Sequence, residues 1–369
     1  MASQNILDTI KNKIGDAFSL GASGLVGIDI GLSAIKMAVL NKQSDGSYKI
    51  MNYASVDLPE GTIGEDEIQK EDEFLKAMQI AIKKLDTSNR IACVGLSGPN
   101  TLIKRLQIAG GTNEEIEEQA IWETEQYLPF PIEEGNISYS LVGDNQSGGV
   151  DVIIGAAKKS VVTYYKDIVE RTGFKVKIVD HCAAAVLNVF EHVMGEDAAK
   201  IGTTWILVDM GAQKSNFLIY KNGRLVFYKE INVGGLTATE EIQRQMGVNY
   251  SEAESLKIHG DGSGNIPEEI VEITNQVSEI FFSELKKTID FWTNTTSDET
   301  FDGCVITGGG SQALGLVEAL KELLDTDVQI LNPFKVMSYN KNNISEENIE
   351  EIASKGVCAI GLAMRSIPK

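Results

Sequence analysis

Two short segments carry residue types suited to holding a phosphate and its counter-ion. The first is Gly27-Ile28-Asp29-Ile30-Gly31-Leu32-Ser33-Ala34-Ile35-Lys36, the second Asp209-Met210-Gly211-Ala212-Gln213-Lys214-Ser215. In each, an apolar strand ends at an aspartate. A glycine two residues later lets the chain turn tightly beside a ligand. The N–H groups around Leu32 and Ser33 can then face a phosphate. A carboxylate beside phosphates is useful when a cation lies between them, usually Mg2+ with its waters. Either segment alone also reads as an ordinary hairpin with an aspartate at its turn. Two in matching context point to a pair of phosphate loops.

A third segment, Cys304-Val305-Ile306-Thr307-Gly308-Gly309-Gly310-Ser311-Gln312-Ala313, reads as strand, glycine turn and helix. It satisfies the dinucleotide pattern G-x-G-x-x-A, with Asp325 or Asp327 as a ribose acid. A Rossmann domain would need several further β–α units, and the remaining sequence is too short for them. A turn that lets an adenine ring approach the backbone is the better reading. Glu254 and Lys257 lie three apart on one helix face, where they could bond a ribose and adenine or form a solvated surface pair. Asp180, before the small-residue run Ala183-Ala184-Ala185, is a candidate to orient an attacking water or to cap a helix. No G-x-x-x-x-G-K-[ST] and no G-x-S-x-G occurs, which excludes P-loop and nucleophile-elbow chemistry by motif.

The elements that position these residues repeat. Leu25 to Asp29 and Ile206 to Asp209 are apolar strands; Ile35 to Leu40 and Asn216 to Tyr220 are second strands; Asp45-Gly46 and Asn222-Gly223 are hairpin turns, each followed by a third strand. Two such β-β-β units imply a duplicated architecture, with both Asp-x-Gly turns lining a cleft between related domains. Helices are expected over 71–85, 113–127, 159–172, 182–194, 237–246, 251–258, 267–293, 312–324 and 344–365, with 260–264 a flexible connector. Residues 1–22 carry Ile6, Leu7, Ile10, Ile14 and Phe18 at helical spacing. This helix reads as docked on its own domain. A membrane-surface or partner-docking role is the rival reading, though it lacks a strongly basic polar face.

The composition sets the frame. At ~150 residues per domain, 369 residues suggest two or three domains. The 43% hydrophobic and 23% charged fractions are those of a globular chain. With 53 acidic against 33 basic residues the net charge is −20, which repels a nucleic-acid backbone, so no nucleic-acid partner is expected. No membrane-length apolar run or signal peptide is evident, so a soluble, unexported chain is expected. Cys93, Cys182, Cys304 and Cys358 are far apart in sequence, and His181, His192 and His259 form no H-E-x-x-H pair. A reduced cytosolic setting without a zinc site is the expectation.

Together the five segments resemble the actin-like ATPase superfamily of actin, MreB, FtsA, DnaK-type chaperones and sugar kinases. Asp29 to Lys36 and Asp209 to Ser215 look like its two phosphate motifs, and Gly308, Gly309 and Gly310 like its adenosine motif. Val179 to Val186 and Gly356 to Met364 look like its two connecting helices. Within it the chain is most similar to the PilM family of type IV pilus assembly. That likeness rests on Gly27 to Gly31, on Ala-Ile-Trp-Glu-Thr-Glu-Gln-Tyr-Leu-Pro-Phe-Pro at 120–131, and on Val233-Gly234-Gly235-Leu236-Thr237. Departures are Leu32 where many relatives carry Ser or Thr, and Gln213 and Lys214 in place of a hydroxyl-rich run. The residues 1–22 helix is extra, and a C-terminal amphipathic membrane helix of the FtsA kind is lacking.

The resemblance implies an α/β fold of duplicated actin-like, ribonuclease H-like domains around a nucleotide cleft, with an FtsA-type inserted subdomain. The expected organisation is an N-terminal helix (1–22), lobe I (23–99), the inserted subdomain (100–176), lobe I continued (177–204), lobe II (205–343) and a closing helix returning to lobe I (344–369). It implies ATP and Mg2+ as cofactors, with Asp29 and Asp209 holding the metal through water. Nucleotide contacts fall to Asp29, Gly31, Leu32, Ser33, Lys36, Asp209, Gly211, Gln213, Ser215, Gly234, Gly235, Glu254, Lys257, Gly308, Gly309 and Gly310. Asp180 is the candidate for positioning water, allowing a slow ATPase or a pure nucleotide binder. The implied partner is the cytoplasmic N-terminal peptide of a PilN-like inner-membrane protein, docking near the inserted subdomain. A pilus motor ATPase and self-association are further implied partners. The implied location is cytoplasmic, peripheral at the inner membrane through a protein partner. Rival readings are an FtsA- or MreB-like filament former, a sugar-kinase-class phosphotransferase and a Rossmann oxidoreductase.

Overall fold

The computed structural model describes residues 24–64, 67–145, 148–262, 265–296, 300–313 and 315–367. The helix expected over 1–22 lies outside the described residues, as does part of the connector at 260–264.

The first hairpin forms where the Asp-x-Gly turn places it. Strand β1 (Val26–Ile30) pairs antiparallel with β2 (Ala34–Lys42), and Asp29 lies opposite Lys36. The Gly31 N–H closes the turn on the Ala34 carbonyl at 3.1 Å. Strand β3 (Tyr48–Asp57) continues antiparallel on β2. Helix α1 (Glu71–Leu85) follows, with Glu71, Asp72 and Glu73 in its first turn and Lys83 and Lys84 in its last. Those charges complement the helix dipole. Its Phe74, Ala77, Met78, Ala81 and Leu85 recur at helical spacing and are buried against the sheet. Strand β4 (Ile91–Leu96) then adds parallel to β1.

An insertion leaves the sheet here. Strands β5 (Thr101–Ile108), β6 (Gly135–Asp144) and β7 (Val150–Lys158) form an antiparallel sheet in the order β5-β7-β6. Helix α2 (Asn113–Glu125) starts at a capping box in which Thr112 and Glu115 bond each other's backbone N–H. It buries Ile116 and Ala120 against Leu106, Ile108, Val152 and Ile154. Helix α3 (Lys159–Glu170) leads into β8 (Lys175–His181), which returns to the first sheet parallel to β4. Helix α4 (Cys182–Met194) and the short α5 (Glu196–Ala199) lead to the second half.

The second half repeats the first. Strands β9 (Thr204–Met210), β10 (Ser215–Lys221) and β11 (Arg224–Ile231) form the antiparallel meander, turning at Asn222-Gly223, where both residues have positive φ. Helices α6 (Gly235–Met246), α7 (Tyr250–His259) and α8 (Glu268–Thr296) intervene. Strand β12 (Gly303–Thr307) adds parallel to β9; helix α9 (Leu316–Leu324) precedes β13 (Val328–Ile330), parallel to β12. Among the described residues the sheet orders are β3-β2-β1-β4-β8 and β11-β10-β9-β12-β13, with β14 (Ser338–Tyr339) added beside β3. The two orders match strand for strand, and each meander has a register shift at the equivalent point, Val39/Leu40 and Ile219/Tyr220. This is the duplicated actin-like α/β fold.

Two expected helices differ in form. The run from Gln312 is a 3-10 turn over Gly309–Gln312 before α9 begins at Leu316. The single helix expected over 344–365 is divided into α10 (Ile349–Lys355) and α11 (Val357–Ala363). The division falls at Gly356, a residue of low helix propensity. Helix α11 crosses α4 at the shared core of the two halves. A Cβ at Gly361 would stand 1.9 Å from the Ala185 carbonyl oxygen, so only glycine allows the two backbones to meet there.

Candidate functional site

Each half delivers its aspartate on the same register. Lys36 Nζ lies 3.2 Å from Asp29 Oδ2, and Asn216 Nδ2 donates to Asp209 Oδ2 at 3.2 Å. Each pair is seven residues apart across its hairpin. Burial alone would lower the Lys36 pKa, but the Asp29 carboxylate reverses this and holds the ammonium charged above its ordinary range. Asp209 is pushed up, chiefly by burial and further by the charge of Asp29, with the Asn216 bond opposing. Two carboxylates this close together, one of them raised by the charge of the other, form a donor set a divalent cation would satisfy.

The turns beyond the aspartates also match. The Gly211 N–H bonds the Lys214 carbonyl at 3.0 Å, as Gly31 bonds Ala34. The second loop is then clamped by the start of α6: Gly235 N–H to the Gly211 carbonyl at 3.0 Å, and Leu236 N–H to the Ala212 carbonyl at 2.7 Å. The glycine run after β12 is seated on this loop. Gly308 has φ of +86°, and a Cβ there would lie 2.4 Å from the Met210 carbonyl oxygen and 2.7 Å from Asp209 Oδ1. Any side chain would be both strained and in collision.

Glu254 and Lys257 are not a solvated pair. Lys257 Nζ lies 2.7 Å from Glu254 Oε2, 2.7 Å from Thr239 Oγ1 and 3.0 Å from the Gly235 carbonyl. Thr239 Oγ1 donates to Glu254 Oε2 at 2.5 Å. The network ties α7 to the start of α6, beside the second loop.

These groups converge on a cleft of about 1700 Å³. Asp29, Gly31, Leu32, Ser33 and Lys36 line one wall. Asp209, Gly211, Gln213, Gly234 and Gly235 line the other, with Glu254 and Lys257 beside them. Gly308, Gly309 and Gly310 complete the lining. Two sequence candidates lie elsewhere. Ser215 is fully buried and donates to the Val233 carbonyl at 2.7 Å. Strand alternation turns its neighbour Asn216, rather than Ser215, toward Asp209. Asp180 is not among the cleft residues. Its Oδ2 lies 3.0 Å from Arg365 Nε, and its Oδ1 accepts the His181 N–H at 2.9 Å.

Sequence reasoning missed a polar cluster on the second wall. Lys214 Nζ pairs with Glu230 Oε2 at 3.1 Å. Tyr228 Oη lies 3.0 Å from Asn216 Oδ1 and 3.2 Å from Glu230 Oε1. Burial first, then the charge of Glu230, pushes the Tyr228 hydroxyl well above its ordinary range, so it stays a donor. The seven-residue spacing shared by Asp29–Lys36 and Asp209–Asn216 was the signal that would have found Asn216. The facing aspartates, the three glycine segments and the Lys36 ammonium surround one volume, which fits a nucleotide with its divalent cation.

A family model described as "Type IV pilus assembly protein PilM" matches residues 27–367. FtsA, the cell division protein of Escherichia coli (strain K12), is 26% identical over 214 residues, covering 49% of this chain and 50% of that protein. FtsA of Enterococcus hirae is 23% identical over 197 residues, covering 47% of this chain and 43% of that protein. The chain thus spans about half the length of the curated relatives it matches. A solved structure described as "PilM-PilN type IV pilus biogenesis complex" superposes with a TM-score of 0.82 at 22% identity, covering 94% of this chain and 99% of that one. The ethanolamine utilization protein EutJ from Carboxydothermus hydrogenoformans superposes with a TM-score of 0.54 at 14% identity, covering 93% and 89%. Among the described residues no helix is long and apolar enough to cross a membrane.

Proposed function

The chain belongs to the PilM family of type IV pilus assembly proteins, and on that premise we propose that it is a nucleotide-responsive scaffold for a membrane-anchored partner. The observation that carries the reading is the pair of Asp-x-Gly hairpins facing one another, with Asp29 and Asp209 in one cleft. Asp29 and Asp209 would hold the hydrated Mg2+ of bound ATP. Gly31, Leu32, Ser33 and Gln213 would meet the phosphates, Glu254 and Lys257 the ribose, and Gly308 to Gly310 the adenine. The bound Mg2+–ATP supplies charge that both lobes can contact, and so favours the arrangement in which they approach. A ligand shifts such an equilibrium only through contacts that differ between the two arrangements. Turnover is slow in this reading, because Asp180 is engaged by Arg365 away from the cleft.

The partner is the cytoplasmic N-terminal peptide of a PilN-like inner-membrane protein, which would hold the chain peripherally at that membrane. The insertion offers an apolar surface for it. Trp122 on α2 is 63% exposed and Tyr127 43% exposed, with Lys104 Nζ 4.1 Å from the Tyr127 ring centroid. Aromatic anchors of this kind dominate peptide recognition. A pilus motor ATPase and a second copy of the chain are the further partners this reading assigns.

Calorimetric titration of nucleotide-free protein with ATP and Mg2+, then with the peptide, tests the proposal. Saturable binding that Asp29→Ala abolishes, with peptide affinity altered by nucleotide, is the expected result. Absence of ATP binding refutes the nucleotide half. Peptide affinity indifferent to bound nucleotide refutes the switch.

A further inference from the structure

The four cysteines are scattered in sequence, yet the fold brings two of them to the floor of the cleft. Cys182 opens α4 and Cys358 lies in the first turn of α11. Both line the cleft, and both are free thiols. One carboxylate oxygen of Asp29 and the two Sγ atoms all lie within 4.8 Å of one another. We propose that Asp29, Cys182 and Cys358 form a binding site for one thiophilic divalent cation of the Zn2+ or Cd2+ class.

Three arguments carry this. The first is geometric. Tetrahedral ligands at bond lengths of about 2.0–2.3 Å stand about 3.3–3.8 Å apart, so donors already within 4.8 Å need only small side-chain rotations to close on an ion. The second is donor chemistry. Two sulfurs and one oxygen suit a borderline-soft ion, whereas Mg2+ requires near-octahedral oxygen ligation. The third is charge. Two thiolates and a carboxylate around a divalent ion leave one negative charge, and the Lys36 ammonium 3.2 Å from Asp29 cancels it. The ion, its three ligands and Lys36 then sum to zero, which lowers the cost of placing that charge in the interior.

The scaffold is also rigid where it must be. The ligands come from β1, α4 and α11, and the close contact of Gly361 with Ala185 fixes α11 on α4. Three protein ligands leave a fourth position, open to the cleft. Because the ion takes Asp29, it competes with Mg2+–nucleotide; this last clause alone rests on the proposed nucleotide binding.

Cadmium titration of the nucleotide-free, reduced protein tests the site through the ultraviolet charge-transfer absorption of thiolate–Cd2+ bonds. Saturation at one equivalent is expected. Cys182→Ser and Cys358→Ser should each weaken binding by about tenfold or more. Cys304→Ser, which alters a buried thiol on β12, should leave it intact. Zn2+ should raise the Tm of the wild-type chain, a readout that does not depend on any variant folding. No saturable one-to-one signal in the wild type, or a signal that survives both ligand variants, overturns the proposal. If Cd2+ binds as expected but ATP does not displace it, the site stands and only the competition falls.

Discussion

Asp151 in the inserted sheet and Arg224 in the second half form an ion pair across the boundary between them, Nη1 to Oδ2 at 3.4 Å. Asp151 is 1% exposed and is also held by Arg105 Nη2 at 2.5 Å. Arg224 further donates to the Asp144 carbonyl at 3.4 Å. Strand β11 carries Arg224 at one end and, toward the other, Tyr228 and the cleft residue Glu230. A single strand therefore joins the cleft to the insertion. Arg224→Ala should leave nucleotide and peptide binding individually intact while reducing their mutual effect. Coupling free energies of this kind are about 1–3 kcal/mol, so the nucleotide-dependent change in peptide affinity should fall by about fivefold or more. Paired calorimetric titrations with and without ATP measure it; undiminished coupling would show that β11 does not carry the signal.

Asp209→Asn should separate stability from binding. Burial and the nearby Asp29 charge raise the Asp209 pKa in the folded chain. A carboxyl with a raised folded pKa opposes folding above that value, and the penalty is relieved as pH falls. The neutral amide removes the penalty, so the nucleotide-free variant should melt higher at neutral pH while losing Mg2+-dependent ATP binding. A variant that melts lower would contradict the electrostatic account.

His181 should make the fold acid-sensitive. Its Nδ1 accepts the Ala183 N–H at 3.1 Å as the cap of α4, and its ring packs edge-on to Tyr228 with centroids 5.5 Å apart. Burial pulls its pKa from 6.5 to about 4, with Glu230 opposing weakly. Between those values the unfolded chain takes up the proton and the folded chain does not, so stability drops as pH falls through that window. His181→Asn keeps a capping acceptor and removes the titration. Urea midpoints measured from pH 7 to pH 4 should therefore fall less steeply in the variant than in the wild type.

Gly308→Ala should damage the cleft from within. The added methyl meets the Met210 carbonyl and the Asp209 carboxylate at a backbone angle unfavourable to alanine. Conformational strain of this kind costs about 1–3 kcal/mol, before the clash is counted. A lowered Tm together with weakened ATP binding is expected, and a neutral outcome would show that the turn relaxes freely.

The duplicated hairpins were legible because their signals are local: an apolar strand, an aspartate, a glycine and a turn dipeptide at Asn222-Gly223. The same locality explains the exact agreement of the 71–85 and 182–194 helices with α1 and α4. What sequence did not reveal depends on which way a side chain faces. Ser215 was counted as a phosphate contact for its hydroxyl, but strand alternation sends it into the core. Glu230 carries no motif and reaches the cleft, bonded by Tyr228, only because β11 pairs with β10. Asp180 met Arg365, far away in the sequence, through tertiary folding alone. The meeting of Cys182 and Cys358 was hidden for the same reason.

The contact of Gly361 with Ala185 has a mechanical consequence. Backbone rests on backbone there, with no side chain between to change rotamer, and close-packed interiors transmit strain rather than absorb it. The joint therefore acts as a rigid stop rather than a cushion. A displacement imposed on either helix passes to the other backbone directly, and α11 lies against β1, the strand that carries Asp29.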